Sequence, residues 1–274
     1  MSERKKYPSD LTDDQWQEVE PYLQRTTNNG HPTLVNLREI LNAIIYKCKT
    51  GVQWAYLPHD FPPSRTVYYY FEKWSKEGVF EKIHHVISIK ARQFEDRENN
   101  PSTLIIDSQS IKSSYSGNFI GFDSNKKIKG RKRHIAIDTL GIIIAAIVTA
   151  AHVHDSTQFT NLFVQAAQND RTDRIERVYA DSAYESQYNK DFIQKNFQAE
   201  LIISNKPTGV TGFVPLPQRW KVERTISWFG GYRNLSRDYD SSIQSSESWI
   251  WIAATHQTLK RLPKPSLLAS RDSA

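Results

Sequence analysis

Three acidic residues occupy positions from which they could act together. Asp107 closes the apolar run of TLIID, Asp181 closes that of RVYAD, and Glu223 sits in RWKVERTISWF among Arg219, Lys221 and Arg224. Carboxylates at the ends of neighbouring parallel strands repel, and one stays protonated unless a cation lies between them. A hard divalent cation resolves that conflict. Mg2+ takes oxygen ligands, few of them carboxylates, and completes its shell with water and substrate phosphates. A third acid on a helix would complete such a site. Each residue also has a plainer reading. An aspartate after a buried strand caps the next turn, and Glu223 follows Arg219 by four residues, the spacing of a helical salt bridge.

The cations offer a second kind of chemistry. KKIKGRKR, residues 126–133, holds six cations in eight residues, which reads as a solvated loop or as a contact for a polyanion. The stretch VERTISWFGGYRNLSRD, residues 222–238, mixes arginines with large aromatics and suits the same partner, so Glu223 stands out within it. His152, His154 and Asp155 form HxHD at the end of an expected strand, either a transition-metal site or support for the neighbouring acids. Ser108 and Ser182 follow the two aspartates, but no histidine base is placed for them by motif. The net charge of +6 and pI near 9.2 are by themselves a weak pointer to nucleic acid.

These residues need elements to position them. Up to about residue 95 the apolar spacing is helical. LTDDQWQEVEPYL opens at Thr12 as an N-cap, LVNLREILNAIIYKCKTG stops at Gly51, and a third helix starts at a Ser64 cap after LPHDFPPS. Short helices with tight turns are compatible with a helix-turn-helix-like unit, with Arg65, Tyr68, Tyr69 and Lys73 on its recognition helix. FEDRENNPST reads as a linker, which puts the domains at 1–95 and 96–274. Beyond it, TLIIDSQSI, RHIAIDTLG and IIIAAIVTAAHVHD are strands, and the order becomes βββαβαβ followed by helix. That is an α/β fold with a mixed sheet flanked by helices. In it the first and fourth strands run the same way, and open α/β sheets favour ligands at the carboxyl ends of such strands. Glu223 lies at the margin of a helical seam formed by Val222, Ile226 and Phe229. The single cysteine, Cys48, excludes an internal disulfide and a multi-cysteine zinc site and suits a reducing cytoplasm. MSERKKYPSD is charged where a secretory leader would be apolar, and the apolar run GIIIAAIVTAA has eleven residues, too few to span a bilayer.

Taken in order, IIDSQSIKS, KIKGRKRHIAIDTLG, VYADSAYES and RWKVERTISWFGGYRNLSRDYD resemble the bacterial insertion-sequence transposases with an Asp-Asp-Glu triad. The chain is similar to the short members, whose catalytic domain lacks a long insertion before the glutamate. YPSDLTDDQWQEVEPYL and GVQWAYLPHDFPPSRTVYYYFEKW resemble that group's N-terminal domain, so the likeness runs from about Tyr7 to Leu262. It implies a ribonuclease H-like fold and a catalytic, metal-binding triad of Asp107, Asp181 and Glu223. Two Mg2+ ions are expected there, with Mn2+ as a substitute, and no nucleotide cofactor. The implied substrate is double-stranded DNA, both element ends and target, bound by a homodimer in a bacterial cytoplasm, at the nucleoid, without a membrane. The implied DNA contacts are Lys112, Lys126, Lys127, Lys129, Arg131, Lys132, Arg133 and Arg219 in the catalytic domain, with Arg65 and Lys73 before it. Leu216 stands where the family has a tyrosine and Gly230 where it has a cation, leaving Arg224, Arg233 and Arg237 as downstream contacts. Two other readings remain open: a nuclease of the same fold that cuts without joining, and a domesticated DNA-binding protein without catalysis.

Overall fold

The computed structural model describes residues 4–23, 35–114, 119–204 and 218–262. Its principal elements are α1 (Asp13–Val19), α2 (Leu37–Thr50), α3 (Ser64–Lys76), α4 (Val79–Phe94), β1 (Thr103–Lys112), β2 (Gly121–Asp123), β3 (Ile128–Ile137) and β4 (Ile143–Ala150). They continue with α5 (Phe159–Gln168), β5 (Arg177–Ala180), α6 (Gln187–Phe197), β6 (Glu200–Ile203), α7 (Arg219–Trp228) and α8 (Ile243–Leu259). The chain divides into two compact units, one of Met1–Glu95, Tyr232–Leu235 and Ser248–Ala274, the other of Asp96–Gly231 and Ser236–Glu247.

In the first unit the helix boundaries follow local chemistry. Thr12 and Gln15 form a capping box at α1, each side chain accepting from the other's backbone N–H. Asn36 caps α2, which ends where Gly51 turns left-handed at φ 73°. Ser64 is the first residue of α3 rather than its cap; Pro63 holds the cap position, and its fixed φ suits the entry to a helix. Val67, Phe71 and Trp74 bury one face of α3, while Arg65 and Tyr69 are exposed and Lys73 is half-buried. The sequence places the residues from 232 on in the second domain, whereas Tyr232–Leu235 and the chain from Ser248 join this unit. Trp249 stacks on Phe71 with ring centroids 4.4 Å apart. The Lys47 ammonium donates to Asn234 Oδ1 at 2.8 Å and lies 4.9 Å from the rings of Trp54 and Trp249. An apolar pattern marks a buried face without naming its partner, so this return was not visible in the sequence.

His256, buried in α8, pairs with the Tyr232 hydroxyl at 3.0 Å. Burial, helped by Lys260 and Lys49, pulls its pKa down to about 3. An unfolded histidine titrates near 6.5. The folded state therefore binds fewer protons between these values, and stability is complete above about 6.5 and falls as pH drops towards about 3. Urea midpoints measured from pH 4 to 7 should rise with pH in wild type, with a shallower slope in His256→Gln.

The second unit is built on a six-stranded mixed sheet with the order β2-β3-β1-β5-β6, in which β4 also pairs with β3. β1–β3 and β3–β4 are antiparallel; β1–β5 and β5–β6 are parallel. Leu104 and Ile106 of β1 and Val178 and Ala180 of β5 join Phe159, Leu162 and Phe163 of α5 and Ile193 of α6 in one apolar core. Alternate residues of a strand point to opposite faces, so Ile105 and Asp107, with Tyr179 and Asp181, face away from that core. The β3–β4 turn is closed by Asp138, whose Oδ1 accepts from the N–H groups of Leu140 and Ile142, and by Gly141 at φ 82°. At Gly130 a Cβ would come 1.9 Å from the carbonyl oxygen of Ile111, so only glycine lets β3 pass β1 at this point.

Candidate active site

The parallel pairing of β1 and β5 keeps one offset, Thr103 to Arg177, Leu104 to Val178 and Ile105 to Tyr179. Two residues further on, the same offset matches Asp107 with Asp181, on one face and beyond the last β1–β5 pair; β1 itself continues along β3 to Lys112, so Asp107 sits in mid-strand rather than at the strand end that its apolar run suggests. Each aspartate uses one oxygen on the backbone. Asp107 Oδ1 accepts from Ser108 N–H at 2.7 Å, and Asp181 Oδ1 accepts from Ala183 N–H at 3.0 Å, capping the 3-10 turn Ser182–Tyr184. The turn-cap reading of Asp181 thus holds for half of the carboxylate. The other oxygens, Asp107 Oδ2 and Asp181 Oδ2, stand 3.8 and 3.9 Å from one atom, Arg219 Nη2.

Glu223 reaches the same atom, with Oε1 at 3.8 Å from Arg219 Nη2. Its helix, α7, is seated by buried Val222 and Thr225, and Thr225 donates its hydroxyl to the Gly141 carbonyl at 3.1 Å. Ile226 is half-buried and Phe229 buried, so the expected seam is present. The helical salt bridge and the three-acid cluster are one arrangement, because the arginine that pairs with Glu223 pairs with both aspartates too. Burial raises the Asp107 pKa to about 6, against the Ser108 N–H and Arg219, which favour the charged form. Three carboxylates around one guanidinium leave an excess of negative charge.

All three donors are hard oxygens, the set that Mg2+ or Mn2+ accepts. Ligation needs oxygens at about 2.0–2.1 Å from Mg2+, whereas here they ring a nitrogen at nearly 4 Å. Among the described residues no group of three or more His, Cys, Asp or Glu is close enough to hold a metal ion. The donor types fit the ion; the spacing fits the arginine that lies among them.

The cations separate into two sets. Lys112, Lys126, Lys127 and Lys129 are exposed, as are Arg233 and Arg237. Arg131, Lys132 and Arg133 are buried, so the basic run is not one continuous phosphate strip. From Ile128 it is strand, and alternation sends its cations to opposite faces of the sheet. Arg131 Nη1 pairs with Asp238 Oδ1 at 2.9 Å and Ser246 Oγ at 3.2 Å. Arg133 Nη1 donates to Gln109 Oε1 at 3.3 Å. Lys132 Nζ pairs with Asp155 Oδ1 at 2.9 Å and donates to the Val153 carbonyl at 2.9 Å. Asp155 of HxHD therefore serves a buried lysine, and His154 Nδ1 accepts from Ser156 N–H at the start of a 3-10 turn. Arg224 is held between Trp220 and Trp228, 4.7 and 4.9 Å from their ring centroids. Gly230 is exposed with open space around it, and Leu216 lies outside the described residues. The Trp220–Arg224–Trp228 stack escaped the sequence reading, although its i, i+4, i+8 spacing on a helix signals it.

Comparison with known proteins gives the family. Residues 11–84 match a family model described as "Putative transposase of IS4/5 family (DUF4096)", and residues 98–257 match the model "Transposase DDE domain". A protein of Burkholderia cepacia, named as a "Putative transposase for insertion sequence element IS402", is 31% identical over 111 residues, 39% of this chain and 52% of that protein. The uncharacterized protein y4sN of Sinorhizobium fredii (strain NBRC 101917 / NGR234) is 26% identical over 102 residues, 37% of this chain and 75% of that protein. The chain thus matches about half the length of the IS402 relative. No helix among the described residues is long and apolar enough to cross a membrane. The second model covers more than half of the chain, including all three acids, and the chain belongs to the bacterial insertion-sequence transposases with a DDE domain.

Proposed function

We propose that this chain binds the terminal inverted repeats of its mobile element and catalyses metal-dependent cleavage and strand transfer of DNA, with Asp107, Asp181 and Glu223 as the catalytic triad. The observation that carries the reading is the convergence of three carboxylates on one guanidinium nitrogen, just beyond the last β1–β5 pair. A ribonuclease H-like reading of the sheet is supported by the pairing of β4 with β3, β3 with β1, and the parallel β1, β5 and β6, with β2 added beside β3. Residues 1–95 are assigned to DNA recognition and, from residue 96 on, the second unit to catalysis.

In the first step water attacks the phosphorus at the element end, the P–O3′ bond breaks, and the 3′ oxygen leaves and takes up a proton. In the second the freed 3′-OH attacks a phosphorus of target DNA, forming one P–O bond as another breaks. Bond number is conserved, so no ATP is required. Two Mg2+ ions, or Mn2+, when bound by the three acids, supply activation of the nucleophile and stabilisation of the leaving oxygen. Asp107 and Asp181 are oriented by the backbone N–H groups of Ser108 and Ala183, which leave one oxygen of each for the ion. Val222 and Thr225 fix the phase of α7 so that Glu223 faces them.

Lys112, Lys126, Lys127 and Lys129 are the phosphate contacts retained from the basic run and its neighbour, joined by Arg65, Lys73, Arg233 and Arg237. Each phosphate neutralised contributes about 0.9 to the slope of log K against log salt. A Lys126→Ala, Lys127→Ala, Lys129→Ala triple variant should lower that slope by about 2–3 in duplex binding titrations. A wild-type slope in this variant would remove the three lysines from the interface. The function itself is tested by incubating the full chain with Mg2+, a duplex carrying the element end, and a second duplex. Joined product supports a transposase acting on both DNAs; cutting without joining would point to a nuclease, and binding alone to a non-catalytic protein. A homodimer on DNA is expected, since two ends must be processed together.

A further inference from the structure

Arg219 occupies the place where a divalent cation would be needed. Its Nη2 stands 3.8, 3.9 and 3.8 Å from oxygens of Asp107, Asp181 and Glu223, a single positive nitrogen nearly equidistant from three acids. Its Nε is buried and makes no hydrogen bond, so the side chain is held by charge more than by a directed network. The carboxylates in turn are too far apart to ligate an ion while the guanidinium lies among them. An arginine cannot deprotonate to relieve such a cluster, and its long stem has rotamers that withdraw the head without moving the helix.

We infer that Arg219 is a resident counter-cation. It holds the three acids together in the metal-free chain and is displaced from among them when a divalent ion binds. This rests on the reading of the triad as a metal site. Charge decides the exchange, since a dication offsets three carboxylates better than one guanidinium. The arginine therefore competes with the ion and weakens metal affinity, while preventing the mutual repulsion of the empty site. It is a positioning residue, acting on the reaction through the three acids.

The test uses the full chain and Mn2+ alone, counted by electron paramagnetic resonance, with wild type, Arg219→Gln, Arg219→Lys and Asp107→Asn. Without metal, Arg219→Gln should melt below wild type. At saturating Mn2+ the two melting temperatures should converge, and Arg219→Gln should bind Mn2+ about tenfold more tightly, with charge–charge coupling in a half-buried site as the source. Arg219→Lys, a point charge on a similar stem, should restore both the metal-free melting temperature and the wild-type affinity. An Arg219→Gln affinity equal to or weaker than wild type would overturn the inference. So would a melting deficit that persists at saturating Mn2+, which marks a packing role. Should Arg219→Gln not fold without metal, folding on addition of Mn2+ supports the inference and failure to fold then overturns it. Asp107→Asn separates the metal site from the role of Arg219. Loss of Mn2+ binding in that variant leaves the metal site standing whatever Arg219 does, and unchanged binding would remove the metal site and the inference with it.

Discussion

The Asp107→Asn variant is expected to lose metal-dependent DNA cleavage by about 10³-fold or more while binding the same duplex at least as tightly as wild type. The two effects separate because, in the proposed function, Asp107 contributes charge to the reacting centre and a repulsive charge to the phosphates. Its Oδ2 faces Arg219 Nη2, while its Oδ1 accepts from Ser108 N–H. An amide keeps the shape and can still accept from that N–H, so the fold should persist. Glu223→Gln should behave likewise, with even less structural consequence, since the Glu223 side chain is 47% exposed. Cleavage assays and duplex binding titrations on both variants check this. Undiminished cleavage in Asp107→Asn would remove Asp107 from the site.

The second large effect is on stability. Arg131→Met is expected to destabilise the chain by about 3–5 kcal/mol, because it strands a buried carboxylate. The side chains of Arg131 and Asp238 are 0% and 1% exposed, and Ser246 donates its hydroxyl to the other oxygen of Asp238. Asp238→Leu should cost a similar amount by stranding the guanidinium. The Arg131→Met, Asp238→Leu double variant should cost much less than the sum, since neither buried charge remains. Urea denaturation of the three variants measures this cycle. Additive losses would mean that the pair is not coupled. A weaker salt dependence of DNA binding in the folded Arg131→Met protein would return Arg131 to the phosphate surface.

These two predictions also mark how far the sequence could be read. Asp107 and Asp181 were legible because each follows an apolar run and the constant register of parallel strands carries them to the same level, although β1 runs on past Asp107 to Lys112. Glu223 was legible through the phase of its helix. Arg131, Lys132 and Arg133 were not. Six cations in eight residues resemble a solvated run, and the acids that neutralise them are remote in the chain: Asp238 is 107 residues beyond Arg131. Alternation within a strand could have divided the run between two faces, but only the partners show that both faces are buried. Nor could spacing reveal that Arg219 faces all three acids. Its distance from Glu223 in the helix is local, whereas its approach to Asp107 and Asp181 depends on how α7 packs on β1.

If the three acids act by holding divalent ions, a change of ligand softness at one of them must change which metal supports cleavage. Thiolate ligands favour Mn2+ over Mg2+, and the one native thiol, Cys48, is buried, so an Asp181→Cys variant introduces a distinct sulfur ligand. Cleavage of an element-end duplex is then measured with each metal in turn. Asp181→Cys should be inactive with Mg2+ and regain cleavage with Mn2+, whereas wild type cuts with both. Cleavage by Asp181→Cys that is as efficient in Mg2+ as wild type, or that survives chelation of all metal, would contradict that role of the acids.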